Sequence, residues 1–126
     1  MNKNTLKKPA LILSCLTISV IACLYGIAPS WFFGTFLGQD SISIDQAHIL
    51  RAVTTLYLSL GLFWLYCAFR EDYQDVGILL LAIFCGGLVI GRILSVFMDG
   101  MPSPILLVYI AMELGLVPVC LWLLKK

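Results

Sequence analysis

Four long apolar stretches, separated by short polar turns, constrain this chain more than any other feature. They cover residues 9–28, 47–69, 76–97 and 103–124. Each is close to the ~20 residues that a helix needs to cross ~30 Å of hydrocarbon at ~1.5 Å per residue. Because backbone polar groups in lipid must be paired within the segment, each stretch is predicted to be a helix. We therefore predict an all-α bundle of four transmembrane helices, with residues 1–126 forming a single membrane domain.

Composition excludes two broad classes of protein. Of the 126 residues, 61% are hydrophobic and only 12% are charged, whereas an ordinary soluble domain has roughly 25% charged residues. Too few polar side chains remain to cover a soluble globule. The net charge is +1, without a basic stripe, which argues against binding of nucleic acid. The lipid bilayer is the expected surrounding of this chain.

Basic residues outside the apolar stretches fall on one predicted side of the membrane. They are Lys3, Lys7, Lys8, Arg70, Lys125 and Lys126. Because Lys and Arg favour cytoplasmic loops, both termini are predicted in the cytoplasm. The loop around Trp31 and the turn at Asp99 then face outward. The sequence thus predicts a multi-pass protein of the bacterial inner (cytoplasmic) membrane.

The first apolar stretch has an alternative interpretation as a cleaved leader. Lysines precede it, and the run Val20-Ile21-Ala22-Cys23 resembles a lipoprotein cleavage box with Cys23 as the lipidated residue. The apolar run continues past Cys23, however, and three further stretches follow. These observations favour an uncleaved first helix.

Neither a metal site nor a catalytic site is predicted. All five cysteines lie in apolar stretches without a C-x-x-C pair, and the single histidine, His48, has no neighbouring ligands. The cysteines are interpreted as small packing residues. The chain contains no nucleophile elbow, no glycine-rich phosphate loop and no histidine cluster. We therefore expect a protein that is not an enzyme and that uses no cofactor.

Charged residues inside the apolar stretches are the candidate functional residues. Arg92 precedes Asp99 by seven positions and Glu113 follows Ser103 by ten, which places them ~10 Å and ~15 Å below the outer surface. An ionisable residue at such depth is costly, so it is a functional-site hypothesis by default. The predicted ligand-binding or buried polar cluster comprises Arg51, Arg92, Ser95, Asp99, Tyr109 and Glu113.

This cluster has two interpretations. In the structural one, the opposite charges neutralise each other and fix the register of the helices, since a buried ion pair alone says little about function. In the functional one, Arg51 and Arg92 line a polar pocket in the outer half of the membrane. The pocket would bind a small anionic or amphipathic ligand, because arginine matches carboxylate and phosphate geometry.

Gly87 and Gly91 form a G-x-x-x-G pattern in the third stretch. Small residues let another helix approach closely, so helix packing is predicted to depend on these two glycines. If the packing helix belongs to another protein, the chain is an accessory subunit of a larger membrane complex. A small oligomeric transporter that uses Glu113 and the arginines is a further hypothesis. A membrane-protein partner and a homo-oligomer are therefore both candidate assemblies.

Several short motifs together resemble a known bacterial family. They are Arg51-Ala52, Gly91-Arg92 with Ser95, Asp99-Gly100-Met101-Pro102-Ser103 and Glu113-Leu114. In combination they are similar to a family of small four-helix membrane proteins catalogued as a domain of unknown function and distantly related to DoxX-like proteins. The resemblance implies a membrane fold and supplies no activity. DoxX-like relatives are linked to redox or quinone-associated complexes, but no residue here independently points to a quinone.

Overall fold

A computed structural model of the chain describes residues 2–125, so Met1 and the predicted cytoplasmic Lys126 lie outside the described part. The helical elements are α1 (Lys3–Gly26), α2 (Pro29–Phe32), a π-helical turn (Phe33–Leu37), α3 (Ile44–Ala68), a 3-10 turn (Glu71–Tyr73), α4 (Gln74–Asp99) and α5 (Pro104–Leu124).

Four of these helices are long and apolar enough to cross a membrane. They are α1, α3, α5 and α4 with its preceding turn. No strand occurs within residues 2–125. The predicted all-α fold with four membrane-spanning helices is thereby confirmed. The protein is a multi-pass membrane protein whose apolar helices contact the lipid bilayer.

α1 and α3 begin earlier than their apolar stretches do, because polar residues cap them beyond the apolar core. Asn2 caps α1, where its side chain accepts a hydrogen bond from the Asn4 N–H at 3.2 Å. Ser43 and Gln46 form a reciprocal capping box that starts α3, with hydrogen bonds of 3.1 and 2.8 Å. Hydropathy indicates which residues lie in the hydrocarbon, whereas the side-chain caps determine where α1 and α3 begin.

The bundle is built from two closely packed helix pairs, α1 with α3 and α4 with α5. The first pair needs small residues at its contact. A Cβ added to Gly26 would collide with the Thr54 side chain, and one added to Gly61 would lie 3.1 Å from Cγ2 of Ile18. The Thr54 hydroxyl also donates to the Ala22 carbonyl across this interface, at 3.1 Å. By contrast, α1 and α5 touch little, so a cleft remains between them.

The two termini and the α3–α4 turn meet at one end of the bundle, which we call the basic end. There Lys3 donates to the Lys125 carbonyl at 3.1 Å, and Lys7 forms an ion pair with Asp75. Lys8 lies 4.6 Å from the centroid of the Phe69 ring. Above these contacts lies the main core, whose most buried members are Leu11, Trp64, Cys67, Ala68, Ile78 and Cys120.

A second, smaller core occupies the opposite end, where α2 and the π-helical turn fold back over the bundle. It is formed by Tyr25, Phe32 and Tyr109. The Tyr25 and Phe32 rings pack edge to face with centroids 4.9 Å apart, and Tyr25 lies 6.5 Å from Tyr109. Edge-to-face packing at these distances is favourable for aromatic rings. This aromatic core closes the bundle directly above the candidate site.

Candidate functional site

The site is centred on an ion pair between neighbouring helices. Arg92 on α4 donates from Nε to Oε2 of Glu113 on α5 at 2.9 Å, and from Nη2 to Oε1 at 3.2 Å. Only 22% of the Arg92 side chain and 11% of the Glu113 side chain are exposed. The hairpin of α4 and α5 brings the two residues face to face. This two-point geometry satisfies both carboxylate oxygens of a residue that would be costly alone in lipid.

Three tyrosines surround the ion pair. Tyr109 lies one turn before Glu113 on α5, and its ring centroid is 5.7 Å from Cζ of Arg92. Tyr25 of α1 lies 6.5 Å from both Tyr109 and Tyr57, measured between ring centroids. A tyrosine in such a place offers an apolar ring for packing and a hydroxyl for hydrogen bonding.

The sequence predicted Tyr109 as a site residue and missed Tyr25 and Tyr57. Both lie within membrane-spanning helices, on the sides of α1 and α3 that face the bundle interior. Hydropathy alone does not reveal which side of a membrane helix faces its neighbours. Tyr25 lies one residue before the end of α1, where a tyrosine at the membrane interface is ordinary, and nothing in the sequence shows which side of α3 carries Tyr57.

A cavity of about 370 Å³ extends from the ion pair toward the basic end. Such a volume is within the usual range of ~300–1,000 Å³ for small-molecule sites. Its charged and phenolic lining residues are Tyr57, Arg92, Tyr109 and Glu113, at the end nearest the aromatic core. The remaining lining is largely apolar and comes from α1, α3, α4 and α5, including Ile18, Leu81, Phe84, Leu116 and Leu123. The cavity therefore has one polar end and a long apolar body.

The cavity opens sideways between α1 and α5. Its lining residues Leu13 on α1 and Val119 on α5 are 64% and 47% exposed, so the cavity reaches the lipid-facing surface. Its inner wall includes Trp64, which is 1% exposed and packs edge to face on Phe84. The Trp64 indole N–H has no hydrogen-bond partner among residues 2–125.

A second cavity of about 440 Å³ borders Arg92 on the side of the aromatic core. Gly87 and Gly91 line it, and a Cβ added to either glycine would meet no atom within 4 Å. Among residues 2–125 no helix packs closely on these two glycines, so their role in helix packing stays a prediction that would need a helix from another chain. A G-x-x-x-G pattern shows that one side of a helix has no side chains at two positions, but it does not show whether another helix packs there. The close approaches occur instead at Gly26, Gly61 and Gly77.

Three other predicted site residues have different partners. Arg51 donates from Nη1 to the Gly26 carbonyl at 3.1 Å, where a cation suits the C-terminal end of α1. Ser95 donates to Asp99 at 2.7 Å in an exposed position. Within the described residues, none of the three hydrogen-bonds to Arg92 or Glu113. Ser95 nonetheless shares with Arg92 the lining of a small crevice of about 90 Å³.

Residues suited to metal binding do not come together in the described part of the chain. No group of three or more His, Cys, Asp or Glu side chains within residues 2–125 is placed to hold a metal ion. Cys67, Cys85 and Cys120 are buried, and all five cysteines are free thiols. The polar chemistry of the site is therefore that of Arg92, Glu113 and the tyrosines.

A protein-family model matches most of the chain. The family described as "Domain of unknown function (DUF4345)" matches residues 6–124. The chain belongs to this family. The predicted resemblance to an uncharacterised family is thus confirmed, while the distant relation to DoxX-like proteins stays a prediction. No curated protein and no solved structure matches the chain. The DUF4345 match includes the Arg92–Glu113 pair and every residue that lines the cavity between α1 and α5.

Proposed function

We propose that this DUF4345 protein is a non-enzymatic protein of the bacterial inner membrane that binds a small anionic or amphipathic molecule beside Arg92. One observation carries the proposal: the cavity between α1 and α5 is apolar along its length and ends at the Arg92–Glu113 pair. A protein that needed the ion pair only for helix register would have no use for this adjoining space. An amphipathic molecule matches both parts of the cavity.

The polar end has donors to offer such a molecule. The ion pair occupies Nε and one N–H of Nη2 on Arg92. This leaves Nη1 and the other N–H of Nη2 outside the ion pair. Tyr57 and Tyr109 line the same cavity and contribute hydroxyl groups. A few well-placed polar groups at one end of an apolar pocket are typical of ligand sites.

This proposal is tested by purifying the protein in mild detergent and using mass spectrometry to identify molecules that stay bound to it. The native protein is expected to retain a membrane-derived molecule, and the double variant Arg92→Leu/Glu113→Leu is expected to lose it while staying folded. Asp75→Asn is the matched control, since Asp75 is paired at the basic end, away from the cavity. The proposal is contradicted if the native protein carries no bound molecule. It is also contradicted if the double variant retains the molecule to the same extent as the native protein.

The proposed orientation places both termini in the cytoplasm. The contacts that gather Lys3, Lys7 and Lys125 at one end support it, because basic residues favour the cytoplasmic side. Reporter fusions after Lys125 and within residues 39–45 are expected to report opposite sides of the membrane. Reports from the same side, or a mature chain that begins at Cys23, would overturn this topology.

A second candidate function is that of an accessory subunit in a larger membrane complex. The observation that favours it is the open space beside Gly87 and Gly91, where a Cβ added to either glycine would meet no atom within 4 Å. Purification in mild detergent separates the candidates. Co-purification of a second protein at fixed stoichiometry supports the accessory subunit, and a homo-oligomer supports the small transporter. A monomer with bound amphiphile supports the leading proposal.

A further inference from the structure

We infer that the molecule bound between α1 and α5 is an uncharged amphiphile with one long apolar chain and a head group rich in hydrogen-bond acceptors. Esters and other carbonyl compounds have such head groups. This inference rests on the proposed function and narrows its ligand from an anionic or amphipathic molecule to a neutral one. Three features of the cavity carry the inference: its charge, its donors and its shape.

The charge of the site argues against an anion. Among residues 2–125, Arg92 and Glu113 are the only charged residues in the cavity lining, and they pair through two hydrogen bonds. An added carboxylate or phosphate would therefore leave an uncompensated negative charge at membrane depth. An unpaired charge is costly at this depth, because neither water nor a counter-charge is present to stabilise it. A neutral head group avoids this cost and leaves the ion pair intact.

The donors of the site call for an acceptor. Both Glu113 oxygens already accept hydrogen bonds from Arg92, while Nη1 of Arg92 is outside the pair. Tyr57 and Tyr109 add O–H donors to the same lining. Carbonyl and ester oxygens accept such bonds without carrying charge. The hydrogen-bonding capacity of the polar end thus complements a head group that accepts more than it donates.

The shape of the cavity calls for a chain. Its lining on α5 extends from Tyr109 and Glu113 to Leu123. The ten positions from Glu113 to Leu123 span ~15 Å at helical rise, about half of the ~30 Å hydrocarbon core. That length suits an alkyl chain confined to one leaflet. The exposed rims at Leu13 and Val119 let such a chain slide in sideways from the bilayer.

Quenching of Trp64 fluorescence by two brominated probes tests the inference. The probes are the methyl ester of a brominated lauric acid and the same acid ionised at alkaline pH. Trp31 and Trp122 are replaced by Phe, so that Trp64 in the cavity wall is the only tryptophan. Saturable quenching by the ester is expected at concentrations on the order of tenfold lower than by the ionised acid, which corresponds to ~1.4 kcal/mol of discrimination.

A matched pair of variants shows whether the quenching comes from the cavity. Leu116→Phe places a larger side chain in the cavity lining and is expected to abolish saturable quenching by the ester. Leu121→Phe is the same change on the same helix, at a residue that is 51% exposed and absent from the cavity lining, and is expected to leave quenching unchanged. If Leu116→Phe fails to fold by circular dichroism, Val119→Phe at the cavity rim replaces it.

The outcomes separate this inference from the proposed function beneath it. Equal or tighter binding of the ionised acid, blocked by Leu116→Phe, would overturn the neutral head group and leave a ligand-binding protein. Saturable quenching by neither probe would overturn both. Quenching by the ester that both phenylalanine variants leave unchanged would show contact from bulk lipid and would likewise overturn both.

Discussion

The two ion pairs within residues 2–125 join the same kinds of charge in different surroundings. Lys7 and Asp75 meet at the basic end, where only 10% of the Lys7 side chain but 65% of the Asp75 side chain is exposed. Arg92 and Glu113 meet at membrane depth, with 22% and 11% of their side chains exposed. Lys7 also donates to Asn4 at 3.0 Å, so it has a second partner. Glu113, by contrast, receives both of its hydrogen bonds from Arg92.

This difference shows how water changes the value of a charge pair. At the basic end, water reaches the Asp75 carboxylate and Asn4 accepts a second hydrogen bond from Lys7, so each partner keeps a substitute when the other is lost. At membrane depth no water stands in for a lost partner, so each residue depends on the other. The Lys7–Asp75 pair at the basic end can therefore be lost at little cost, whereas the Arg92–Glu113 pair beside the cavity cannot.

Packing around the two pairs differs in the same way. Near Lys7, a Cβ added to Gly77 would lie 2.8 Å from Cβ of Cys67 and 3.1 Å from Leu11. Near Arg92, Gly87 and Gly91 face open space. The helix contact at Gly77 is therefore close, although an open polar crevice borders Lys7 and Asp75, whereas the helix surface at Gly87 and Gly91 leaves room beside Arg92. Room beside a buried ion pair is what a binding site requires.

The largest effect is expected from breaking the buried pair. Arg92→Leu strands Glu113 at membrane depth, and we expect a loss of ~3–5 kcal/mol in the free energy of unfolding, or somewhat less in lipid. Unfolding by a denaturing detergent, followed by circular dichroism, measures this loss. The double variant Arg92→Leu/Glu113→Leu is expected to regain most of it, because neither charge is then left alone.

A double-mutant cycle decides whether the two side chains act as a unit. If the two residues are coupled, the double variant loses less free energy of unfolding than the two single variants lose in sum. If the losses in free energy of unfolding are strictly additive, the two side chains do not interact energetically. Retention of the bound molecule by the recovered double variant would indicate a purely structural pair, which is the alternative left open by the sequence.

The sequence predicted the helices and the unusual charges, but it did not predict the surroundings of each ion pair. Apolar length alone predicted four helices, because the bilayer sets the length that each must have. Arg92 and Glu113 were recognisable as unusual, because charge is rare in such stretches. Tyr57 and the empty space at Gly87 were not predictable, since they depend on how the helices are rotated and how far apart they sit. Periodicity gives little information on rotation when nearly every side of a helix is apolar.

An intermediate effect is expected from adding a methyl group at matched glycines. Gly77→Ala places its Cβ against Cys67, and we expect a loss of ~1–3 kcal/mol from overpacking. Gly87→Ala adds the same group to open space, and its better helix propensity should raise stability by up to ~1 kcal/mol. Thermal unfolding in detergent measures both. Equal losses in the two variants would mean that another chain packs on Gly87, as the accessory-subunit hypothesis holds.

The smallest effect is expected from neutralising Asp75, the exposed partner of Lys7. Asp75→Asn removes one charge without changing the shape of the side chain, and Lys7 keeps its hydrogen bond to Asn4. We therefore expect a loss below ~1 kcal/mol, and less at high salt, because salt screens exposed charges. Glu113→Gln is the matched change at depth and should cost several times more, since the Arg92 guanidinium then has no counter-charge in lipid. Unfolding measured at low and high salt compares the two directly. Similar losses with similar salt dependence would show that water reaches both pairs equally, so that the cavity beside Arg92 is wet and an apolar chain does not fill it.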